Sequence, residues 1–113
     1  MTFFQGDIVL VKPEVFGGDK ERPVIIIQSD LSCSVSNKIT FCAITSIKSK
    51  GSMAIHILPD LLNHLDKESW ILCDEIHTVR KDKIKHKIGR IDNPTWDQIR
   101  LNLRKHLNFL NFI

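Results

Sequence analysis

The stretch GGDKERPVIIIQSD, residues 17–30, decides how the chain is to be read. Gly17 to Glu21 form a flexible, charged loop that stops abruptly at Arg22-Pro23. The chain then enters Val24-Ile25-Ile26-Ile27, a short unbroken apolar run that reads as a buried strand. Pro23 suits the first position of that strand, where a missing N–H is tolerated. A guanidinium is therefore placed on the last residue before a core strand, with a proline behind it.

Outward from this point the pattern repeats. Asp7 to Lys12 reads as a first strand closed by Pro13, and Pro23 to Gln28 as the second. Ser29 to Lys38 is polar and serine-rich and reads as a surface loop. Ile39 to Ile47 is a third strand, Lys48 to Ser52 a turn, and Ala54 to Leu58 a fourth strand. Residues 59–67, PDLLNHLDK, have room for a helical turn. Ser69 to Cys73 and Glu75 to Val79 read as two further strands separated at Asp74. Arg80 to Ile84 reads as a short helix and Lys87 to Ile91 as a short strand.

The last element is the clearest helix. Asn93 can cap it and Pro94 suits its first turn. Trp96, Ile99, Leu103, Leu107 and Leu110 recur at steps of three or four and mark one apolar face, with Arg100, Arg104 and Lys105 off it. Such a helix packs on a sheet; a basic surface helix facing RNA is the alternative. Short, regularly spaced strands followed by one long helix predict a mostly β fold, a small antiparallel barrel with appended helices.

At 113 residues the chain, 1–113, reads as one domain. Hydrophobic residues make up 42% and charged residues 26%, an ordinary globular balance, and a net charge of +3 permits an anionic partner without demanding one. Cys33, Cys42 and Cys73 form no CxxC pair, and no Cys/His spacing or carboxylate cage is expected to hold a metal. Cys42 and Cys73 lie inside apolar runs and read as buried thiols. The N-terminus lacks the basic region of a signal peptide and no apolar run approaches a membrane span, so a cytoplasmic protein is expected.

Chemistry is sparse in the motifs. Gly17-Gly18 lacks the Gly-Lys-Ser/Thr of a phosphate loop, and neither Gly-x-Ser-x-Gly nor His-Glu-x-x-His occurs. The polar residues at strand ends carry the signal instead. Arg22 opens the second strand, Thr45-Ser46 closes the third, and Asp74-Glu75 interrupts two apolar segments. In a small barrel such ends gather at one rim. An arginine there suits a phosphate, because its planar fork offers two aligned hydrogen bonds. The plainer readings stay open: a surface ion pair of Arg22 with Glu21 or Asp19, and Thr45 as an ordinary β-former.

Five stretches in order resemble the MazF/PemK family of toxin ribonucleases: GDIVLV (6–11), RPVIIIQSD (22–30), CAITS (42–46), ILCDEIHTVRKDKI (71–84) and KIGRI (87–91). The resemblance covers nearly the whole chain. It implies an SH3-like barrel, a homodimer, and a metal-free endoribonuclease that cuts single-stranded RNA and is neutralised by an acidic antitoxin. In that chemistry the ribose 2′-OH attacks the adjacent phosphorus. By position, Arg22 and Thr45 match the family's main catalytic pair, and Asp74 matches an acidic position that serves some members, as a base. Lys20, Glu21, Ser46 and His77 are the implied RNA contacts. No cofactor is implied.

The chain departs from the family pattern in three places. The loop GGDKE carries no histidine, His77 stands where the family has an arginine, and Arg80 stands where it has an aspartate. His77 reads either as a pH-sensitive donor or as a structural histidine. His56, His64, His86 and His106 sit in no recognisable constellation and receive no role. Two rival functions are a gyrase-inhibiting toxin of the CcdB type, which shares the barrel but ends Trp-Gly-Ile rather than Asn-Phe-Ile, and an RNA-binding barrel without activity.

Overall fold

The computed structural model describes residues 2–108. Six strands make one antiparallel sheet: β1 (Asp7–Val11), β2 (Arg22–Ile26), β3 (Lys38–Thr45), β4 (Ala54–Ile57), β5 (Ser69–Arg80) and β6 (Ile84–Arg90). Their order across the sheet is β4-β5-β3-β2-β1-β6. Two helices join them, α1 (Asp30–Val35) and α2 (Asn93–Leu107). The mostly β expectation with a C-terminal helix therefore holds. The hydrogen-bonded ladder is open, however, with β4 and β6 as its edges, so the expected barrel is not closed by strand pairing.

The unbroken apolar runs are explained by a core on both faces of the sheet. Ile8 lies opposite Ile25, and Ile25 opposite Cys42; these three join one apolar cluster with Ile44, Ile71 and Ile99 of α2. The alternate residues Val9, Val24, Ile26 and Phe41 join a second cluster with Phe3, Cys33 of α1 and Phe16. Val24, Ile25 and Ile26 are all fully buried, as a strand covered on both sides must be.

Helix α2 packs on this core as expected, through the buried Ile99 and the partly buried Trp96 and Leu103. Leu107 is largely exposed and Leu110 lies outside the described residues. The cap is Asp92 rather than Asn93: its carboxylate accepts the Thr95 N–H at 2.9 Å, and Asn93 and Pro94 form the first turn. Those hydrogen bonds hold the Asp92 carboxyl below the usual carboxylate range. No helix among the described residues is long and apolar enough to cross a membrane.

Three local expectations change. The serine-rich segment contains α1, capped by the Ser29 hydroxyl, which accepts the Ser32 N–H at 3.2 Å. The two strands expected at 69–79 are one strand of 12 residues. Cys42 pairs with Ile76 but the next residue, Ala43, pairs with Leu72, so residues 73–75 bulge out of the ladder. The polar Asp74-Glu75 pair is tolerated mid-strand because the bulge takes it out of the pleat. Finally, the segment expected as a short helix holds a single 3-10 turn, Lys81–Lys83, and β6 begins three residues earlier than expected, at Ile84.

The loop between β4 and β5 bridges the open edges. Asp60 Oδ1 accepts the N–H groups of Leu62 and Asn63, and the His64 N–H reaches the Asp60 carbonyl at 3.1 Å, closing one helical turn. The buried Asn63 accepts from the N–H groups of Asp60 and Leu65 and donates to the Leu58 carbonyl. The turn then docks on β6: Arg90 N–H donates to the Leu62 carbonyl at 3.1 Å. Only glycine fits beneath it, since a Cβ on Gly89 would lie 2.5 Å from the Leu62 oxygen and 2.6 Å from that of Asn63.

Candidate active site

Arg22 is placed from both directions along the chain. Behind it, Pro13–Phe16 form a 3-10 turn that ends at Gly17 with φ 72°, a left-handed conformation that glycine adopts without steric cost. Ahead of it, Pro23 pairs with Leu10, and Arg22 itself pairs with Val11. The guanidinium runs back beside Gly18, whose missing Cβ would sit 4.0 Å from Nη2. Glu21, a possible counter-ion, is instead bonded to Lys85 at 2.7 Å. Among the described residues Arg22 has no carboxylate within ion-pair distance, which removes the surface salt bridge as its explanation.

Thr45 ends β3. Its Oγ1 accepts the Ile47 N–H at 3.1 Å. This bond uses a lone pair and leaves the hydroxyl hydrogen free to donate. The β2–β3 ladder stops at Val24 opposite Ala43. Continued by two residues, that register sets Arg22 against Thr45. The two strand ends thus run on together beyond their last shared pair, and a cleft opens there.

The cleft has a volume of about 730 Å³. Leu10, Pro23, Ile44 and Ile88 give its lining an apolar part, and Lys20, Glu21, Arg22, Thr45 and Ser46 a polar one. The β4–β5 loop also contributes to the lining, with His64, Asp66 and Lys67. With Glu21 held by Lys85, cations predominate: Lys20, Arg22 and Lys67 against Asp66. Such a cleft attracts an anionic chain, and the apolar part of its lining accepts a ribose or base.

Five of the seven expected site residues therefore share one cleft, and two do not. Asp74 is exposed on the mid-strand bulge, away from the cleft lining. A reading of two strands set it at a strand end, whereas the single long strand sets it in the middle. His77 pairs with Phe41 and stacks on its ring with centroids 5.8 Å apart, and Phe16 meets His77 edge-on at 5.1 Å. That packing sets the imidazole against two aromatic rings. Arg80, the other departure, is paired with Asp82.

The residues that sequence reasoning missed are those of the β4–β5 loop. Nothing in PDLLNHLDKES announces a site, because the loop's role follows from docking on β6, some 25 residues further along. Asn63 and Gly89 were the available signals: a turn-forming residue and a position stripped of its side chain. Cysteine chemistry is ruled out by burial. It pushes Cys42 up to about 12, helped by the neighbouring Cys73, and Cys73 up to about 11, so neither forms a thiolate near neutral pH.

Residues 4–107 match the family model described as PemK-like, MazF-like toxin of type II toxin-antitoxin system. The chain is 28% identical to Endoribonuclease EndoA of Bacillus subtilis over 116 residues, covering 99% of this chain and 100% of that protein. It is 32% identical to Endoribonuclease MazF of Staphylococcus saprophyticus over 99 residues, covering 84% and 82%. Among solved structures, a mycobacterial endoribonuclease in complex with its cognate antitoxin superposes with a TM-score of 0.79 at 14% identity, covering 96% of this chain and 97% of that one. A MazE-MazF structure from Deinococcus radiodurans gives 0.77 at 16% identity, covering 96% and 99%.

Proposed function

The chain belongs to the PemK-like, MazF-like toxin family of type II toxin–antitoxin systems, and on that premise we propose that it is an endoribonuclease cutting single-stranded RNA in the cleft between Arg22 and Thr45. The observation that carries the proposal is that one partly apolar cleft holds both a guanidinium with no ion-pair partner among the described residues and a hydroxyl free to donate. The relatives named as endoribonucleases support it over a gyrase inhibitor.

The reaction follows from what these groups can do. A ribose 2′-OH attacks the adjacent phosphorus, the P–O5′ bond breaks, and the products are a 2′,3′-cyclic phosphate and a 5′-OH. Charge accumulates on the non-bridging oxygens as the fifth bond forms. Arg22 meets that charge with two parallel N–H groups, and Thr45 donates its hydroxyl to the same phosphate. Lys20 and Lys67 flank the path of the backbone, and Ser46 adds a hydroxyl. Duplex RNA hides its bases and is a poor substrate for such a cleft. The groups named here need no metal ion for this reaction.

We further propose a homodimer and an acidic antitoxin as partner. The solved neighbours include toxins in complex with their antitoxins, and the surplus of cations in the cleft suits an acidic segment as it suits RNA. A cytoplasmic site of action fits the RNA substrate and three free, buried thiols.

The test is cleavage of a single-stranded RNA in excess EDTA, with analysis of the new ends. Cyclic phosphate and 5′-OH ends, with a duplex of the same sequence resisting, are expected. Activity that is lost in EDTA and restored only by magnesium would overturn the mechanism.

A further inference from the structure

We propose that His64 is the general base of the cleavage, taking the 2′-OH proton. This rests on the proposed nuclease activity and supplies the one group that Arg22 and Thr45 do not: a proton acceptor. A guanidinium has no lone pair to offer, and the neutral hydroxyl of Thr45 is too weakly basic to take up a proton.

Three observations place His64 in that role. His64 lines the same cleft as Arg22 and Thr45. Its Nδ1 lies 2.6 Å from the Ile88 carbonyl oxygen. A carbonyl only accepts, so Nδ1 carries the hydrogen, and in the neutral ring Nε2 is left as a bare lone pair. Its backbone sits at φ 53°, a left-handed conformation that few non-glycine residues adopt and that histidine, with asparagine and aspartate, enters more readily than most.

The surrounding structure holds that conformation from several sides. The His64 N–H is bound to Asp60, Asn63 is locked on either side of the turn, and the turn is seated on Gly89. Strain held by so many contacts is typical of a side chain that must point one way. The charged groups lining the cleft with it are Lys20, Glu21, Arg22, Asp66 and Lys67.

The step balances without a co-reactant. Nε2 takes the proton from the 2′-OH as O2′ bonds to phosphorus. The 5′-oxygen leaves with a proton from water, and the imidazolium returns its proton to solvent.

His64→Asn tests this cleanly. Asparagine tolerates the left-handed backbone, and its Nδ2–H can reach the Ile88 carbonyl as Nδ1–H does, but it has no basic nitrogen. Single-turnover cleavage at neutral pH should fall by about 10²-fold or more. Binding of a 2′-O-methyl RNA, which cannot react, should stay within about twofold. The acid limb of the pH–rate profile, where an imidazole base is lost to protonation, should flatten. His64→Gly, which fits the same backbone without strain, should regain part of its rate with added imidazole.

A His64→Asn protein that cuts within about threefold of wild type overturns the assignment. So does a slow variant that keeps its acid limb, combined with a glycine variant that imidazole fails to rescue. These failures are distinct from failure of the nuclease reading, in which the wild-type chain itself leaves RNA intact.

Discussion

The cleft at the ends of β2 and β3 and the far half of β5 both interrupt apolar strands with polar residues, yet they behave differently. In the far half of β5 the polar groups from His77 onward find partners within the fold, while Asp74 and Glu75 on the bulge lie exposed. His77 is packed among Phe16 and Phe41, the Thr78 hydroxyl is bonded to that of Thr40 at 2.8 Å, and Arg80 is paired with Asp82. At the cleft the polar groups are positioned but left open. Among the described residues Arg22 has no ion-pair partner, Thr45 keeps a free hydrogen, and His64 is bonded through only one ring nitrogen. Polar residues that are rigidly held yet not fully bonded mark a place prepared for something outside the chain.

The largest effect that tests this contrast is expected at Arg22. Its partner charge grows only in the transition state, so Arg22→Ala should lower cleavage by about 10²–10³ while RNA affinity changes little. The variant should melt with the wild type, because no ion pair is lost. Arg22→Lys keeps the charge but loses the fork and should restore little. A well-folded, fully active Arg22→Ala protein would dissolve the distinction between the two regions.

Thr45→Ala comes next. A hydrogen bond from a neutral hydroxyl to a charged phosphate is worth roughly 1.5–3 kcal/mol, so the loss should be about 10- to 10²-fold in single-turnover rate. A loss as large as that of Arg22→Ala would instead mean that Thr45 also fixes the loop through Ile47.

The far half of β5 should show small effects. Asp74→Asn leaves the cleft lining untouched, and His77→Phe keeps an aromatic ring between Phe16 and Phe41. Cleavage by both should stay within about threefold of wild type. If Asp74→Asn falls as far as Arg22→Ala, the acidic bulge belongs to the site and the comparison fails.

The smallest effect concerns Cys42 and Cys73, at the bulge where the two regions join. Burial raises both thiols, to about 12 and about 11. The folded state therefore holds protons that the unfolded state releases above about pH 9. This contribution to stability is complete below that pH and is lost as pH rises through 11 to 12. Thermal melts should show an alkaline decline that begins above pH 9. Iodoacetamide at pH 8 should label these cysteines slowly until the chain unfolds.

Most of the fold was legible because burial on both faces writes itself as unbroken apolar runs, and α2 because its stripe has helical spacing. Helix α1 was not. Of its apolar residues only Cys33 is buried, while Leu31 and Val35 are about three-quarters exposed, so no stripe exists to read. The continuity of β5 was hidden because a bulge looks like a strand end when only composition is seen. Of the candidate site, Arg22, Thr45 and their sequence neighbours were legible as polar residues at strand ends.

The sequence by itself determined that Arg22 is held rigid before a buried strand and that Thr45 closes another. Proline, strand and apolar run are local properties of consecutive residues. Only the tertiary structure decided that these two strand ends part into a cleft, that Asp74 stays out of it, and that His64 enters it. The position of His64 depends on a loop docking on β6 over Gly89, with its ring bonded to Ile88. No pattern along the chain encodes that contact, because the space it needs is created by a side chain that is not there.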